Sequence, residues 1–341
     1  MAKAYLTLEN GTVFSGERFG AGGEVFGEIF FSTEVCGFAA SLTDPASYGK
    51  ILVQSFPMLG NYGIITPEKE RKKASVSALV VREWCELPSN FRSEGNYDEF
   101  LKELGVVGLC GVDTREIVRI IRDNGTMRAA ISDKPLNSIP DVQKNNPYEA
   151  VSTPKKAILK PEKDRDLKVA VIDLGITSTA LSALLAHGCT VALMPYDSTA
   201  SEILEEQPDG LFISAGPEND GVVDIKALAS LKDRLPMYGV GAGFLALCRL
   251  YGREIVKLPH GHHGSYPVIE GENSRGLITS QNHSYTMAGE GRFFNAEDGS
   301  CEGENFKDSV FGTTFYPESC DGTGTKPCIY CEFVEKMGGG R

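Results

Sequence analysis

Buried-strand patterns alternate with helical patterns through the second half of the chain, starting at Leu167. Four near-continuous runs of Val, Ile and Leu recur, each followed by a segment with helical spacing; they are LKVAVIDLG, CTVALMPY, GLFISAG and PMYGVG. Apolar runs separated by helices indicate a parallel sheet covered on both faces. Ligand sites in such sheets lie beyond the carboxyl ends of the strands. We therefore expect the turns at Gly175, Gly216 and Gly241 to meet at one crevice, and residues 253–316 to be more antiparallel.

The first half has a different pattern, with short β-like runs and turn residues. Asn10-Gly11 is a hairpin signal, and helices are predicted over residues 97–104 and 114–124, the second capped by Asp113. Residues 146–166 are rich in Pro and Lys and poor in periodicity, which favours a linker. The predicted fold class is α/β: a mixed β/α domain over 1–145, the linker 146–166, and a domain with a largely parallel, helix-covered sheet over 167–341.

Composition narrows the function classes. A formal net charge of −12 disfavours nucleic-acid binding, which needs a positive field. No apolar run approaches membrane-spanning length and the N-terminus lacks a signal-peptide core, so we expect a cytoplasmic protein with no membrane or nucleic-acid partner. The nine cysteines favour reduced, mostly buried thiols. Cys328 and Cys331 form a lone CxxC in a predicted helix, a weak metal or redox signal. We predict no metal and no cofactor.

The segment 236–252, PMYGVGAGFLALCRLYG, reads as a strand, a Gly-rich turn and a helix. Enzymes use this elbow to present a Ser or Cys nucleophile at a helix N-terminus. Gly241 occupies the apex and has no side chain, and Ala242 after it cannot attack a carbonyl. Cys248 lies about two helical turns further on and is expected in the core. Acyl transfer from this elbow is therefore chemically excluded.

Several long segments in order carry a family resemblance. They include GEIFFSTEVCGFAASLTDPASYGKILV, GNYG, PSNFR, GVDTREIVRIIRDNGTMRAAI, DGLFISAGP, GHHGSYPV and TSQNHSY. With them the chain resembles the small subunit of carbamoyl-phosphate synthetase over almost its full length. The resemblance implies a class I glutamine amidotransferase domain in the second half, where a Cys–His–Glu triad hydrolyses glutamine. It also implies that ammonia passes to a large synthetase subunit, which the first half helps to dock.

The triad positions of that family are altered here. Its elbow pattern G-[IV]-C-x-G-H-Q places Gly241 at the cysteine position, with Phe244 and Leu245 at the His and Gln positions. Its G-H-P-E motif places Tyr316 at the catalytic histidine, while Glu318 keeps the carboxylate. A phenol, with an ordinary pKa of about 10, is a poor general base near neutral pH. We predict a pseudo-glutaminase.

The glutamine-binding positions are partly eroded. The remnants that the resemblance assigns to this pocket are Ser47, Gly216, Glu218, Ala242, Leu245, Asn282, Ser284 and Tyr285. Glu218 stands where the family has a glycine and would favour a cationic or amine ligand. Thr177 replaces a family lysine. Four histidines, His260, His262, His263 and His283, could ligate a metal, but in the family the GHHG and QNH segments are not metal ligands, and we expect structural roles for them.

Three functions remain open. The first is a partner subunit without catalysis, which pairs with the large subunit to make carbamoyl phosphate for pyrimidine or arginine synthesis from free ammonia. The ATP sites would then belong to the other chain, since no Gly-rich phosphate loop with a Lys occurs here. The second is a sensing or regulatory module that uses the eroded pocket. The third is a residual glutaminase with unorthodox residues.

Overall fold

The computed structural model describes residues 2–140, 146–163, 165–218, 221, 223, 225–271, 275–318 and 328–338. The chain divides into two compact units, Met1–Asn145 with Pro259–Gly264, and Asn146–Leu258 with Ser265–Arg341. The sequence predicts that residues 259–264 belong to the second domain. They belong to the first unit because the His263 and His260 rings pack on Phe30 and Phe31 there, with centroid separations of 4.5 and 5.8 Å.

The first unit is built on a closed barrel. Its helices and strands, in chain order, are β1 (Lys3–Leu8), β2 (Val13–Gly20), β3 (Val25–Ser32), α1 (Phe38–Thr43), β4 (Ile51–Gln54), β5 (Met58–Leu59), β6 (Ala78–Val80), β7 (Glu83–Trp84), α2 (Tyr97–Leu104), β8 (Val107–Cys110), α3 (Thr114–Asn124) and β9 (Met127–Ser132). The barrel strands follow the order β1-β2-β8-β6-β4-β3-β9, and β5 pairs with β7.

The local predictions for the first unit are confirmed. β1 and β2 form an antiparallel hairpin, and the Asn10 side chain accepts a hydrogen bond from the Thr12 N–H at 3.0 Å. Both predicted helices have the expected bounds, and the Asp113 carboxylate accepts the Glu116 N–H at 3.1 Å as the cap of α3. Ile117 and Ile121 of that helix are buried. Hairpin and helix signals are local, and the structure follows them.

The second unit contains one large mixed sheet. Its helices and strands are α4 (Pro147–Val151), β10 (Ala157–Leu159), β11 (Leu167–Asp173), α5 (Ser178–Ala186), β12 (Cys189–Pro195), α6 (Ala200–Glu205), β13 (Gly210–Ile213), α7 (Lys226–Leu231), β14 (Met237–Val240), α8 (Ala242–Leu250), β15 (Ile255–Glu270), β16 (Arg275–Met287), β17 (Phe293–Asn295), β18 (Cys301–Lys307), β19 (Val310–Thr313) and α9 (Ile329–Gly338). The strand order is β10-β12-β11-β13-β14-β19-β18-β17-β15-β16.

Helices cover both faces of the parallel part of this sheet, as predicted. Ala170 and Ile172 of β11 join one apolar cluster with residues of α6, α7 and α8. Val169 and Val171, which alternate with them, join a second cluster with α5 and α9. Alternate strand residues point to opposite faces, so each face has its own core. None of the described helices is long and apolar enough to cross a membrane.

Residues 146–166 differ from the expected linker. They carry α4 and β10, and β10 extends the sheet by pairing antiparallel with β12, Ala157 opposite Leu193. A three-residue edge strand is too short to produce a readable alternation of polar and apolar residues. Its formation depends on the neighbouring strand, which is distant in sequence, rather than on local pattern.

The strand β19 also departs from expectation. The sequence predicts an antiparallel region here, and β19 does pair antiparallel with β18. On its other side, however, it pairs parallel with β14, with Val240 opposite Thr313. Parallel strands end at the same edge of a sheet, so the residues after β19 emerge beside the elbow that follows β14.

Candidate functional site

The elbow predicted at Gly241 is present. Gly241 lies between β14 and α8 with φ 53° and ψ −114°, a conformation that side-chain-bearing L residues rarely adopt. Its N–H donates to the Thr313 carbonyl at 2.8 Å, which ties the apex to β19. A Cβ built on Gly241 would lie 3.3 Å from the Cβ of Ala215. The platform of a nucleophile is therefore retained in its backbone form, with a glycine at its apex.

The first turn of α8 presents backbone donors beside this apex. The first helical hydrogen bond of the i to i−4 type at this end runs from the Leu245 N–H to the Gly241 carbonyl at 3.1 Å. The preceding amides therefore have no partner inside the helix, and such amides can hold a negative oxygen. Ala242 and Leu245, expected as pocket remnants, are fully buried in the apolar core. They contribute packing to the elbow and no polar side chain.

Tyr316 and Glu318 follow β19, at the strand end next to the elbow. The Tyr316 N–H donates to the Ser280 carbonyl at 2.9 Å, and its half-buried ring packs against the second apolar cluster. Glu318 accepts a hydrogen bond on Oε2 from the Tyr330 hydroxyl at 3.1 Å. The chain thus places a phenol and a carboxylate at the strand end where the sequence predicts the base and the orienting acid. Neither is a nucleophile suited to amide cleavage near neutral pH.

Gly216 follows β13 at the same edge. A Cβ there would stand 2.0 Å from the Leu174 carbonyl oxygen, so the loops after β11 and β13 touch through their backbones and only glycine fits. Leu174 is held in turn by its N–H, which donates to Ser214 Oγ at 3.0 Å. The three turns expected to converge, at Gly175, Gly216 and Gly241, do lie at the ends of the neighbouring strands β11, β13 and β14.

The carboxylate of Glu218 turns inward. The residue is 4% exposed. Its Oε2 accepts the Ser284 N–H at 2.6 Å and its Oε1 accepts the Tyr285 N–H at 3.3 Å. This differs from the expectation that Glu218 would recognise a cationic ligand. Two backbone N–H groups supply donors at short range, and a buried carboxylate is stabilised by such donors because it has lost its water.

Glu218 also influences a neighbouring phenol. Burial raises the pKa of Tyr148, and the negative charge of Glu218 raises it further. Tyr148 lies in α4 and is itself buried. The Glu218 carboxylate, held by the Ser284 and Tyr285 amides, thus acts electrostatically on the buried phenol of α4.

Asp173, at the end of β11, and Thr177, before α5, hold the turn between these two elements. Asp173, missed by sequence reasoning, is buried; its Oδ1 accepts the N–H groups of Gly175 and Ile176 at 2.9 and 2.7 Å, and its Oδ2 accepts that of Thr153 at 2.7 Å. An Asp two residues before a Gly is a turn signal that could have found it. Thr177 caps α5, its hydroxyl accepting the Ala180 N–H at 3.2 Å.

Two further residues predicted for the pocket, Asn282 and Ser47, lie on different elements. Asn282 is half-buried on β16. His283 beside it is buried, with Nε2 3.0 Å from Gln281 Oε1 and 3.2 Å from Glu302 Oε2. Ser47 belongs to the first unit, where it is buried at the end of the short 3-10 helix Pro45–Ser47.

The cysteine nearest to the elbow in sequence lies in the core and does not provide a reactive thiol. Cys248 lies on the buried side of α8 and is fully enclosed in the core, and this burial raises the pKa of its thiol. Nearby Cys301 is also buried, which raises its thiol pKa to about 12. Thiols in such surroundings stay protonated and inert, because the thiolate is the reactive form.

Comparison with known proteins agrees with these features. The family described as "Carbamoyl-phosphate synthase small chain, CPSase domain" matches residues 6–131, and "Glutamine amidotransferase class-I" matches residues 170–336. Three similar relatives are each named carbamoyl phosphate synthase small chain. The protein of Clostridium perfringens is 37% identical over 98% of this chain and 99% of its own, that of Archaeoglobus fulgidus 37% over 98% and 99%, and that of Chlorobaculum tepidum 35% over 98% and 97%.

The match extends through both units and covers nearly the whole length of these relatives. The elbow at Gly241 and the carboxylate of Glu318 stand within the part that matches the amidotransferase family. The chain therefore belongs to the carbamoyl-phosphate synthase small-chain family.

Proposed function

We propose that this chain is a carbamoyl-phosphate synthase small subunit that has lost its own glutaminase activity and serves an ammonia-dependent complex. In this role it pairs with a large synthetase subunit, which carries the ATP sites and forms carbamoyl phosphate. The observation that carries the proposal is the apex of the elbow. Gly241 stands where a nucleophile would have to stand.

The chemistry of amide hydrolysis supports the loss. A thiolate must attack the carbonyl carbon, an imidazole must move the proton, and a carboxylate must orient the imidazole. Removal of the nucleophile alone lowers turnover by about 10⁶ in a serine-protease triad. Here Gly241 and Tyr316 occupy the nucleophile and base positions, and Glu318 is engaged by Tyr330. Water attack aided only by the helix amides would be far too slow for a biosynthetic supply of nitrogen.

The state of the pocket adds independent support. Ser284 and Tyr285, which the resemblance assigns to glutamine binding, give their N–H groups to Glu218. A free amino acid that used those donors would have to displace a buried carboxylate of the chain itself. We therefore infer weak or no binding of glutamine, in addition to the lost chemistry.

The alternatives are less well supported. A sensing module for amines would need the Glu218 carboxylate to face a ligand, whereas its oxygens face two backbone amides. A residual glutaminase would need a reactive thiol near the apex, and Cys248 is buried with a raised pKa. Pairing with a large subunit rests on the relatives, since their names describe a small chain and they match over nearly full length.

Reconstitution with the large subunit encoded by the same organism tests the proposal. Carbamoyl phosphate formation from ATP and bicarbonate is measured with ammonium or with glutamine as the nitrogen source. The small chain of Clostridium perfringens with its own large subunit is the positive control. We expect a stable complex, synthesis from ammonium and none from glutamine. Glutamine-dependent synthesis, or a glutamyl adduct trapped on this chain, would contradict the lost activity, and failure to form the complex would contradict the partner role.

A further inference from the structure

Three donor groups meet in the second unit, between the end of α5 and the start of α9. His187 caps the carboxyl end of α5, and Cys328 and Cys331 flank the first turn of α9. The His187 Nε2 lies 3.2 Å from Cys328 Sγ and 3.6 Å from Cys331 Sγ. Bond lengths of about 2.3 Å to sulfur and 2.0 Å to nitrogen around tetrahedral zinc separate its ligand atoms by about 3.5 Å. The nitrogen–sulfur distances therefore suit a shared ion.

From this cluster we propose that His187, Cys328 and Cys331 bind a thiophilic divalent metal ion of the zinc class when the two cysteines are reduced. Imidazole and thiolate are the ligands that zinc prefers. Two thiolates would balance the charge of the ion, and the imidazole adds a neutral donor. A fourth coordination position is left for water or an external ligand. The inference is independent of the fate of the glutaminase activity.

The histidine is prepared for such a role by its tautomer. Its Nδ1 lies 2.8 Å from the Ala183 carbonyl, an acceptor that requires the proton on Nδ1. The lone pair of a neutral ring is then on Nε2, which faces the two sulfurs. Metal-binding histidines almost always donate their other ring N–H to a carbonyl or carboxylate in this way. The Tyr330 ring packs against the imidazole with centroids 5.6 Å apart, which limits its rotation.

The start of α9 positions the two cysteines. Their spacing of three residues brings both sulfurs to one side of the first turn. The Cys331 N–H donates to Cys328 Sγ at 3.1 Å, which holds that sulfur beside the first turn of the helix. Leu184 of α5 and Phe333 of α9 belong to the same buried cluster, so the ligand-bearing ends of the two helices are held by one core.

The oxidation state of the cysteines decides whether the site can be filled. In the structure Cys328 and Cys331 are joined in a disulfide, which has neither a proton for the Nε2 lone pair nor a thiolate for a metal ion. Reduction by two external thiols gives the Cys328 and Cys331 thiols and one external disulfide, and zinc then replaces the two protons of the new thiols. In the reverse direction a small-molecule disulfide takes two electrons from the bound thiolates. The Cys328–Cys331 bond forms, two external thiolates leave, and the ion is released.

Cobalt substitution in the full chain tests the site. Protein reduced with a phosphine and stripped of metal is titrated with Co²⁺, then with Zn²⁺ in competition with a chromophoric chelator. We expect the visible bands of tetrahedral cobalt with thiolate-to-metal charge transfer, displacement by one zinc ion per chain, and no binding after oxidation by glutathione disulfide. His187→Ala, Cys328→Ser and Cys331→Ser are each expected to weaken binding at least tenfold. Cys36→Ser, at an exposed thiol, is the matched control.

A measurement on the unaltered chain guards against variants that fail to fold. Alkylation of Cys328 and Cys331, mapped by mass spectrometry, is expected to slow at least tenfold when zinc is added to the reduced protein, while Cys36 reacts at an unchanged rate. Absence of a tetrahedral cobalt spectrum in the reduced protein would overturn the proposal. Cys328 and Cys331 would then be a disulfide pair without a metal-binding role. Unchanged affinity in His187→Ala would overturn it equally, because the imidazole would then not be a ligand.

Discussion

The Tyr330 hydroxyl donates a hydrogen bond to Oε2 of Glu318 at 3.1 Å. In a working triad a carboxylate at this position would orient an imidazole, and here it accepts from a phenol on α9. Tyr330 is buried among the rings of Phe212 and Tyr238. The Glu318 carboxylate thus has a partner on a buried ring of α9.

Removal of that hydroxyl should destabilise the second unit. Tyr330→Phe keeps the ring packing and deletes the donor, and we expect a loss of about 1 kcal/mol in the free energy of unfolding, because Glu318 is half-buried and water can replace part of the bond. Urea unfolding measures the change. Glu318→Ala, which removes the acceptor, and the double variant complete a mutant cycle, and additive effects of the two single changes would show that the bond contributes nothing.

Restoring the family cysteine should not restore hydrolysis. The Cβ of Gly241→Cys would lie 3.3 Å from Ala215 Cβ, a tight contact that Ala215 can relieve only by a small shift. It does force a side chain onto φ 53°, a strain of about 1–3 kcal/mol. We expect a lower melting temperature and no ammonia release from glutamine, since Tyr316 cannot act as the base.

Two further variants separate the causes of that result. Gly241→Ala carries the same backbone strain without a thiol and should melt at a temperature similar to that of Gly241→Cys. Gly241→Cys combined with Tyr316→His supplies both missing groups. If the cysteine variant alone released ammonia from glutamine at a measurable rate, the conclusion that this elbow is inert for want of a base would be wrong.

The inward carboxylate of Glu218 should contribute to stability. Glu218→Ala leaves the Ser284 and Tyr285 amides without this acceptor. A hydrogen bond to a charged group contributes about 1.5–3 kcal/mol to the free energy of unfolding. We expect a destabilisation of that order by chemical denaturation. Glu290→Ala, at an exposed carboxylate, should change stability by less than about 0.5 kcal/mol. Equal effects of the two changes would rule out a special role for Glu218.

The buried thiol of Cys301 should make stability fall in alkali. Burial raises its pKa to about 12 in the folded chain, against about 8.5 in an unfolded one. Between these values the folded state binds more protons than the unfolded state, so its stability decreases as pH rises. The slope for one such group approaches about 1.4 kcal/mol per pH unit.

Urea unfolding at several pH values from about 9 to 11 isolates this contribution. Cys301→Ala should show a shallower decline of stability with pH than the unaltered chain, whatever its absolute stability. Cys36→Ala, at an exposed thiol, should leave the slope unchanged. Parallel slopes in all three proteins would mean that Cys301 titrates normally in the folded state.

Much of the architecture could be predicted from local sequence pattern. The helices at 97–104 and 114–124, the strands that alternate with helices after Leu167, and the elbow at Gly241 all follow from periodicity and turn residues within a short window. What could not be predicted depends on distant partners. The edge pairing of β10, the parallel pairing of β19 with β14, and the place of residues 259–264 are decided by segments far away in sequence.

In the candidate site, too, features set by local pattern could be predicted and features set by distant segments could not. The elbow at Gly241 is visible in the sequence because its strand, turn and helix are contiguous. The orientation of Glu218 is not, because its partner Ser284 lies 66 residues away and donates through its backbone, which any residue type could do. His187 and Cys328 are separated by 141 residues, so a lone CxxC without a second pair gave no reason to expect a third donor.

Glu218 has a consequence for how the subunit responds to its surroundings. A carboxylate tethered in the chain competes with any dissolved amino acid at a fixed, very high effective concentration. Dissolved glutamine would therefore have to displace a carboxylate of the chain itself before it reached the Ser284 and Tyr285 amides.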